Sequence, residues 1–428
     1  MTATTSPPSL WRDSRFRSYW AGQAISQFGD RVTELALPLI AVVILKASPA
    51  QVGLLTAAVW LPYLASLLVG SWVDHQRQKR RLLVIADLAR AAVLVSLPIA
   101  YAFGAVTLFQ LFAVALLTGL GEVFFNTSYP TVFVNLVPRE EYIDANSKFS
   151  STRSISFIAG PAVGGLLIQI LTAPVAVIVD AVSFLASAFL IGRIPMTERE
   201  LDVDESVPLW RRAIEGMRFL VHHRYLRVTL ACATTVNFFS FVGSALLVLF
   251  ASRTLGLSAG LIGTAFGIGA TGGLVGALAA PRLARRFGMG TIIIAGAIIF
   301  PAALAVPVLA AGPTLTKMIV LAIAEFLSGV GVMLFDVNLN SLQTSVTPDG
   351  MRSRVAGAFS TINYGVRPFG AVVGGLLGST IGLRPTLIVA AVGGALSCLW
   401  LLSSPIRRVR GLAELDAIDP YTGLPVGG

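Results

Sequence analysis

Gly70-Ser71-Trp72-Val73-Asp74-His75-Gln76-Arg77-Gln78-Lys79-Arg80-Arg81 carries five formally charged side chains in its last eight residues and stands between two long apolar runs. Such a loop stays in water. Its flanks are each long enough to cross a bilayer, at roughly 20 residues per crossing. Arg77, Lys79, Arg80 and Arg81 are cations in a short loop, the feature that holds a loop on the cytoplasmic side of a membrane. The expected orientation of the remaining chain follows from this one loop.

The composition points the same way. Of 428 residues, 55% are hydrophobic and 13% charged, against roughly 25% charged in soluble domains, so the chain reads as a polytopic membrane protein. The net charge of +10 sits in short loops between apolar spans, which argues against nucleic acid as a partner. Cys232 and Cys398 lie inside apolar segments and imply no disulfide framework. No GxxxxGK[ST] phosphate cradle occurs, so ATP-driven transport by this chain alone is not expected.

Twelve apolar spans are expected. Six run over about 18–45, 50–73, 82–103, 107–137, 146–171 and 172–191, and six more over about 226–250, 259–280, 291–311, 314–346, 355–379 and 381–402. The expected organisation is a cytoplasmic N-terminus over 1–17, a six-helix bundle over 18–191, a cytoplasmic linker over 192–225, a second bundle over 226–402 and a cytoplasmic tail over 403–428. With both termini inside, twenty-four Lys and Arg fall on the inner side and four, Lys46, Arg253, Lys317 and Arg384, on the outer. This is the asymmetry of the positive-inside rule. In the linker, Leu209 to Leu226 has a basic amphipathic pattern, with Trp210, Ile214, Met217 and Leu220 or Val221 on one side. His222 and His223 face different ways on a helix, so metal binding is not expected there.

An internal repeat supports two halves. Phe125-Asn126 and Phe335-Asp336, Pro138 and Pro348, Phe149 and Phe359, Gly160 and Gly370, and Gly164-Gly165 and Gly374-Gly375 are all separated by 210 residues. Two six-helix repeats are a transporter architecture, with the binding site between the halves near the bilayer midplane.

The Asp74 loop, with Gly70 and the basic run, resembles the loop between helices 2 and 3 of the major facilitator superfamily. His75 and Arg77 depart from that pattern. Within the superfamily the chain resembles the macrolide-efflux and enterobactin-exporter type, also called the transmembrane secretion effector group. The stretches that carry this are Leu10-Trp11-Arg12 through Ser26-Gln27-Phe28-Gly29-Asp30, Phe124-Phe125-Asn126 through Val137-Pro138-Arg139-Glu140-Glu141, Ala145-Asn146, and Ala159-Gly160-Pro161-Ala162-Val163-Gly164-Gly165. The last resembles the helix 5 antiporter motif. The resemblance implies an all-α, twelve-helix fold, and an Asp74 contact that locks the cytoplasmic side. Related drug antiporters have an arginine in helix 4; Leu116 to Phe125 contains none.

Ionisable groups at membrane depth are costly and are functional candidates by default. In helix 1, Gln23, Gln27, Asp30 and Glu34 form one polar stripe at 100° per residue. Thr118, Glu122, Asn126 and Tyr129 form another on helix 4, and Asn237, Ser240 and Ser244 stand at the equivalent positions of helix 7. Asp30 or Glu122 is the expected proton carrier; pairing of Asp30 with Arg153 or Arg31 is the competing reading. Asp87 and Arg90, three residues apart, are expected to pair near the cytoplasmic end. They join Gly70, Asp74, Arg77 and Arg80 as gate candidates. Gly160, Pro161, Gly164 and Gly165 are expected to allow close helix approach. A special role is expected only in the first half, because the second copy lacks the proline. Asp336, Asn340 and Gln343 share a face on helix 10, as do Asn363 and Arg367 on helix 11. Phe124, Phe125, Phe238, Phe239 and Phe241 are candidates for an apolar cavity wall.

The expected function is a monomeric secondary exporter in the plasma membrane, moving a hydrophobic or amphipathic small molecule against protons, without cofactor. Uptake of a small polar nutrient through the amides of Gln23, Gln27 and Asn237, and a non-transporting scaffold or sensor, are the alternatives. No nucleophile and base at a recognisable spacing suggest an enzyme.

Overall fold

The computed structural model describes residues 10–76, 78–195, 209–348 and 351–411. Twelve crossings are made by helices. Nine spans among the described residues are long and apolar enough to cross a membrane by themselves. The other three positions are taken by the polar-striped first helix and by two broken helices.

Helix α1 (Ser14–Leu39) starts at Asp13, whose Oδ1 accepts the Arg15 backbone N–H at 2.8 Å. The Arg15 side chain beside it holds the Asp13 carboxyl below its ordinary range. The second crossing is α2 (Pro49–Trp60), a 3-10 turn (Leu61–Ala65) and α3 (Ser66–Asp74). Pro62 in that turn lacks the N–H a continuous helix needs. Then follow α4 (Lys79–Ala102), α5 (Leu108–Leu136), α6 (Tyr142–Leu171) and α7 (Ala173–Gly192). Linker helix α8 (Leu209–His222) precedes α9 (Leu226–Leu249), α10 (Ala259–Phe287), α11 (Met289–Ala302) and α12 (Thr314–Val346). The eleventh crossing is α13 (Arg352–Gly365) and α14 (Arg367–Thr380), interrupted at Val366, where Pro368 has no N–H to give the Tyr364 carbonyl one turn back. The last is α15 (Leu383–Ala395) with α16 (Cys398–Leu402).

The 210-residue repeat is present in the backbone itself. The first crossing of each half ends in a π turn, Ile40–Ile44 and Phe250–Thr254. Lys46 and Gly256 follow with φ of 52° and 70°. Ser48 and Ser258 then cap α2 and α10 through their hydroxyls. Thr172, which alone separates α6 from α7, and Gly382, which with Ile381 separates α14 from α15, have φ of 74° and 88°. The tight junctions around 170–176 and 379–385 are therefore true hairpins, made by one residue in the left-handed region.

The two halves meet through this duplicated pattern. A Cβ on Gly53 would strike the Ala371 carbonyl and lie 2.7 Å from Gly375 Cα. At the position 210 residues on, a Cβ on Gly263 would strike the Pro161 carbonyl and lie 2.8 Å from Gly165 Cα. Side chains do not fit in either place, so backbone rests on backbone. Beside these contacts the Ala50 N–H donates to Ser379 Oγ at 3.0 Å, and Ser258 Oγ lies 3.3 Å from Gln169 Oε1.

This junction lies at the end of the bundle that carries the short loops around 46–48 and 256–258. One continuous apolar core there includes Val32 to Val52 from the first half and Leu246 to Leu257 from the second. At the opposite end, where α8 lies, each half has its own core. Phe16, Tyr19, Phe133 and Phe149 form one, and Tyr225, Leu226, Phe335 and Phe359 belong to the other. Helix α8 is fastened to the second half, with Glu215 2.6 Å from Arg354 and Leu220 in that half's core. It does not sit midway between the halves. The acidic stretch 198–205 and the tail beyond 411 lie outside the described residues.

Candidate functional site

The first half gathers seven ionisable side chains, five acids and two arginines. On α1 stand Asp30, Arg31 and Glu34; on α4, Asp87 and Arg90; on α5, Glu122; on α7, Asp180. Arg90 is the centre. Its Nη2 lies 2.6 Å from Asp30 Oδ1, and its guanidinium carbon is 3.9 Å from the Phe184 ring centre. Gly121 makes room for it, since a Cβ there would lie 2.6 Å from Arg90 Cγ. Glu122, Asp180 and Asp87 surround the same guanidinium. The Asp180 carboxylate accepts from the Thr33 and Ser183 hydroxyls. Asp87 is fully buried, with the Ser187 hydroxyl beside its carboxyl group.

This changes two expectations. Asp87 and Arg90 form no ion pair; Arg90 turns toward α1, where Asp30 meets it, and Asp87 stays near the guanidinium without contacting it. Asp30 pairs with neither Arg153 nor Arg31. Arg31 binds Glu34 at 2.6 Å, one turn along its own helix, and lies over Phe157. Arg90 reaches α5 from the preceding crossing, where the glycine at 121 admits it. The sequence signal was Gly121, a single glycine that belongs to no motif.

The helix stripes are shorter than their sequence suggests. Gln23 is buried, Thr118 bonds back to Val114 on its own helix, and Tyr129 stacks on Tyr19 in the first-half core. Glu122 and Asn126 remain partly exposed, with Tyr63 beside both. Of the five phenylalanines, Phe125 is in the core, Phe124 packs on Trp72, and Phe238 and Phe239 pack in the second half. Only Phe241 reaches the space between halves.

There the second half contributes a compact set. Asn237 on α9 donates through Nδ2 to Asn363 Oδ1 on α13 at 2.8 Å and accepts from Arg367 Nε at 3.0 Å. Arg367 lies 4.3 Å from the Trp60 ring centre, 4.2 Å from Tyr364 and 5.0 Å from Phe241. Trp60 comes from the first half, so the cluster bridges the two. Tyr63 completes it, 5.1 Å from Trp60 and 6.4 Å from Tyr364. The breaks at 61–65 and 365–366 place these rings, because each ends a helix at the level of the cluster. Trp60, Tyr63 and Tyr364 were missed in the sequence, where single aromatics at helix breaks carry no periodic signal. Asp336 is half-buried and Asn340 exposed on the same helix.

The gate candidates are only partly placed. Arg77 and the Asp74 side chain lie outside the described residues. Gly70 has a free side, with only the Thr127 methyl 3.6 Å from a Cβ placed there. Arg80 donates to the Ile194 and Gly192 carbonyls at the end of α7, within its own half. The glycine motif on α6 is divided between two faces. Gly160 and Gly164 fit against Arg31 and Val32 of α1, while Pro161 and Gly165 face α10. The second copy does the same work without a proline: Gly370 and Gly374 fit against Phe241 and Val242, the residues equivalent to Arg31 and Val32. The expectation of a role for the first copy alone is thus corrected for packing, because glycine and not proline sets the approach.

Two repeated six-helix halves, sealed at one end and lined between them by charged and aromatic side chains, define a multi-pass membrane transporter and not an enzyme. The sequence profile of the Major Facilitator Superfamily matches residues 19–371, and the chain belongs to that family. It is 27% identical over 378 residues to the multidrug efflux pump Tap of Mycolicibacterium fortuitum, covering 85% of this chain and 89% of that protein. Macrolide efflux protein A of Streptococcus pyogenes is 26% identical over 234 residues, 52% of this chain and 55% of that protein. Among solved structures, a bacterial homologue of the iron transporter ferroportin in an inward-facing state superposes with a TM-score of 0.74 at 18% identity, covering 92% of this chain and 99% of that one. A D-xylose–proton symporter gives 0.68 at 14% identity, covering 96% of this chain and 99% of that one.

Proposed function

We propose that this chain exports a hydrophobic or amphipathic small molecule from the cell by alternating access, driven by proton antiport. The observation that carries the reading is the space between the halves, with an acid-rich cluster on one side and an aromatic cluster around Arg367 on the other. Similarity to multidrug and macrolide efflux proteins over much of the chain supports export. The excess of cations in loops at the α8 end supports placing that end, with both termini, in the cytoplasm. In this orientation the duplicated glycine junction closes the external side.

Proton coupling draws support from the first-half cluster. Five acids face two arginines, so the cluster holds more negative charge than it can compensate, and buried uncompensated carboxylates exchange protons as their surroundings change. Glu122 and Asp87 are the better carriers, since neither has an ion-pair partner among the described residues, whereas Arg90 occupies Asp30. Amide-mediated uptake has less support, because the Asn237 amide is already committed to Asn363 and Arg367.

The test is loading of inside-out vesicles with a panel of fluorescent lipophilic and amphoteric drugs, with and without an uncoupler. Uncoupler-sensitive loading that depends on this protein is expected. Loading that ignores the uncoupler sinks proton coupling, and absence of loading throughout the panel sinks drug export.

A further inference from the structure

Arg367 is held in an unusual way for a cation at membrane depth. No carboxylate lies within ion-pair distance of it among the described residues; Asp336 acts on it from farther off, and its near neighbours are three rings, those of Trp60, Tyr364 and Phe241. Guanidinium has five N–H donors. The one on Nε goes to Asn237 Oδ1 at 3.0 Å, and the four on the two terminal nitrogens have no hydrogen-bond partner among the described residues. Three rings lie against the guanidinium, and its remaining N–H donors point outward along its edge.

That edge is the part of arginine that matches a carboxylate with two parallel hydrogen bonds. The Asn237–Asn363 pair fixes it, since Asn363 orients the amide whose oxygen anchors Nε. Fixing matters because a preorganised donor loses less freedom on binding. The neighbouring surface is aromatic and accessible: Tyr364 is 37% exposed, and Trp60 and Tyr63 are partly so. We propose that Arg367, with Trp60, Tyr63 and Tyr364, forms a subsite for a planar aromatic carboxylate, the acid on the guanidinium edge and the ring on the aromatic surface.

The subsite deepens the exporter reading and rests on it for its place in transport. Together with the acids of the first half it gives the central space opposite charges on its two sides. An amphoteric ring compound, with a carboxylate at one end and an ammonium at the other, fits this polarity; a lipophilic cation meets Arg367 as a like charge.

The probe is norfloxacin, a fluorescent planar carboxylate with an amine, compared with its methyl ester, titrated into the purified full-length protein in nanodiscs. Binding is read without flux, so it succeeds or fails independently of export, which vesicle loading measures. The acid is expected to bind about tenfold tighter than the ester, from one charge-assisted pair. Arg367→Gln is expected to bring the ratio to about one. Trp60→Leu and Tyr364→Leu are expected to weaken acid and ester alike and to keep the ratio. Should Arg367→Gln fail to fold, the wild-type ratio measured across the ionisation of the probe's carboxyl group decides, because the preference is expected only for the ionised acid. Equal binding of acid and ester, no binding of either, a preference that persists in Arg367→Gln, or one that ignores carboxyl ionisation overturns the proposal.

Discussion

Arg90 of α4 and Asp30 of α1 are joined at 2.6 Å, and this pair is the hub on which the charge balance of the first half depends. Removing one member of a buried pair leaves the other uncompensated, at a cost of about 3–5 kcal/mol. The two members are not equivalent. Without Asp30, Arg90 still has Glu122, Asp180 and Asp87 around it. Without Arg90, four acids share what remains. Arg90→Met is therefore expected to lower stability by that full amount and Asp30→Asn by less, as read from thermal unfolding of the purified protein. Equal losses would show that the pair acts alone and not as a hub.

The junction between halves makes a second prediction. Gly263 and Gly53 accept a carbonyl where a side chain would stand, so Gly263→Leu must push α10 away from α6. Each half keeps its own core at the opposite end and is expected to fold. The contact sealing the loop end is expected to open. In a background with Cys232→Ser and Cys398→Ala, a cysteine introduced by Phe241→Cys is expected to react with an impermeant maleimide from the loop side several times faster when Gly263→Leu is present. Unchanged labelling would mean that the seal lies elsewhere.

At the start of α9, His223 supplies a pH dependence outside the membrane. Its Nδ1 accepts the backbone N–H groups of Tyr225 at 3.3 Å and Leu226 at 3.4 Å, and burial pushes the imidazole down to about 4. The folded group thus resists a proton that the unfolded one takes up near 6.5. Stability is complete above about 6.5 and falls as pH drops toward 4. His223→Asn, which keeps an acceptor but does not titrate, is expected to flatten that fall in melting curves between pH 7 and 4.

Much of this fold is legible in the chain because a membrane imposes length and apolarity on each crossing. Loop cations tested the count, and the glycine pairs at 164–165 and 374–375 marked a close helix approach without saying that it joins the halves. The site was harder. A stripe of polar residues on one helix does not say which neighbour it faces, so Asp87 and Arg90 looked paired when Arg90 in fact reaches across to Asp30. Trp60, Tyr63 and Tyr364 gather at helix breaks, and their meeting depends on how the two halves are set against each other, which no local pattern encodes. The repeat also extends further than its sequence identities, since Lys46 and Gly256, or Thr172 and Gly382, share a backbone conformation without sharing a residue type.

The carboxyl group of Asp87 leads to the last prediction. It is fully buried beside the Ser187 hydroxyl, near the Arg90 guanidinium but not in an ion pair with it. Arg90, three residues along the same helix, needs only to leave Asp30 to compensate an ionised Asp87. A proton leaving Asp87 and Arg90 changing partner are then two sides of one step, which links protonation to the packing of α1 against α4. Asp87→Asn breaks no ion pair and is expected to cost about 1–3 kcal/mol of stability, the usual range for one unsatisfied buried group. The same variant is expected to abolish loading driven by a pH gradient in inside-out vesicles while leaving exchange of labelled for unlabelled drug at equilibrium. Glu122→Gln is expected to reduce both, since Glu122 also lies beside Tyr63 and Asn126 in the space between the halves. Gradient-driven loading that persists undiminished in Asp87→Asn would remove this residue from the proton path.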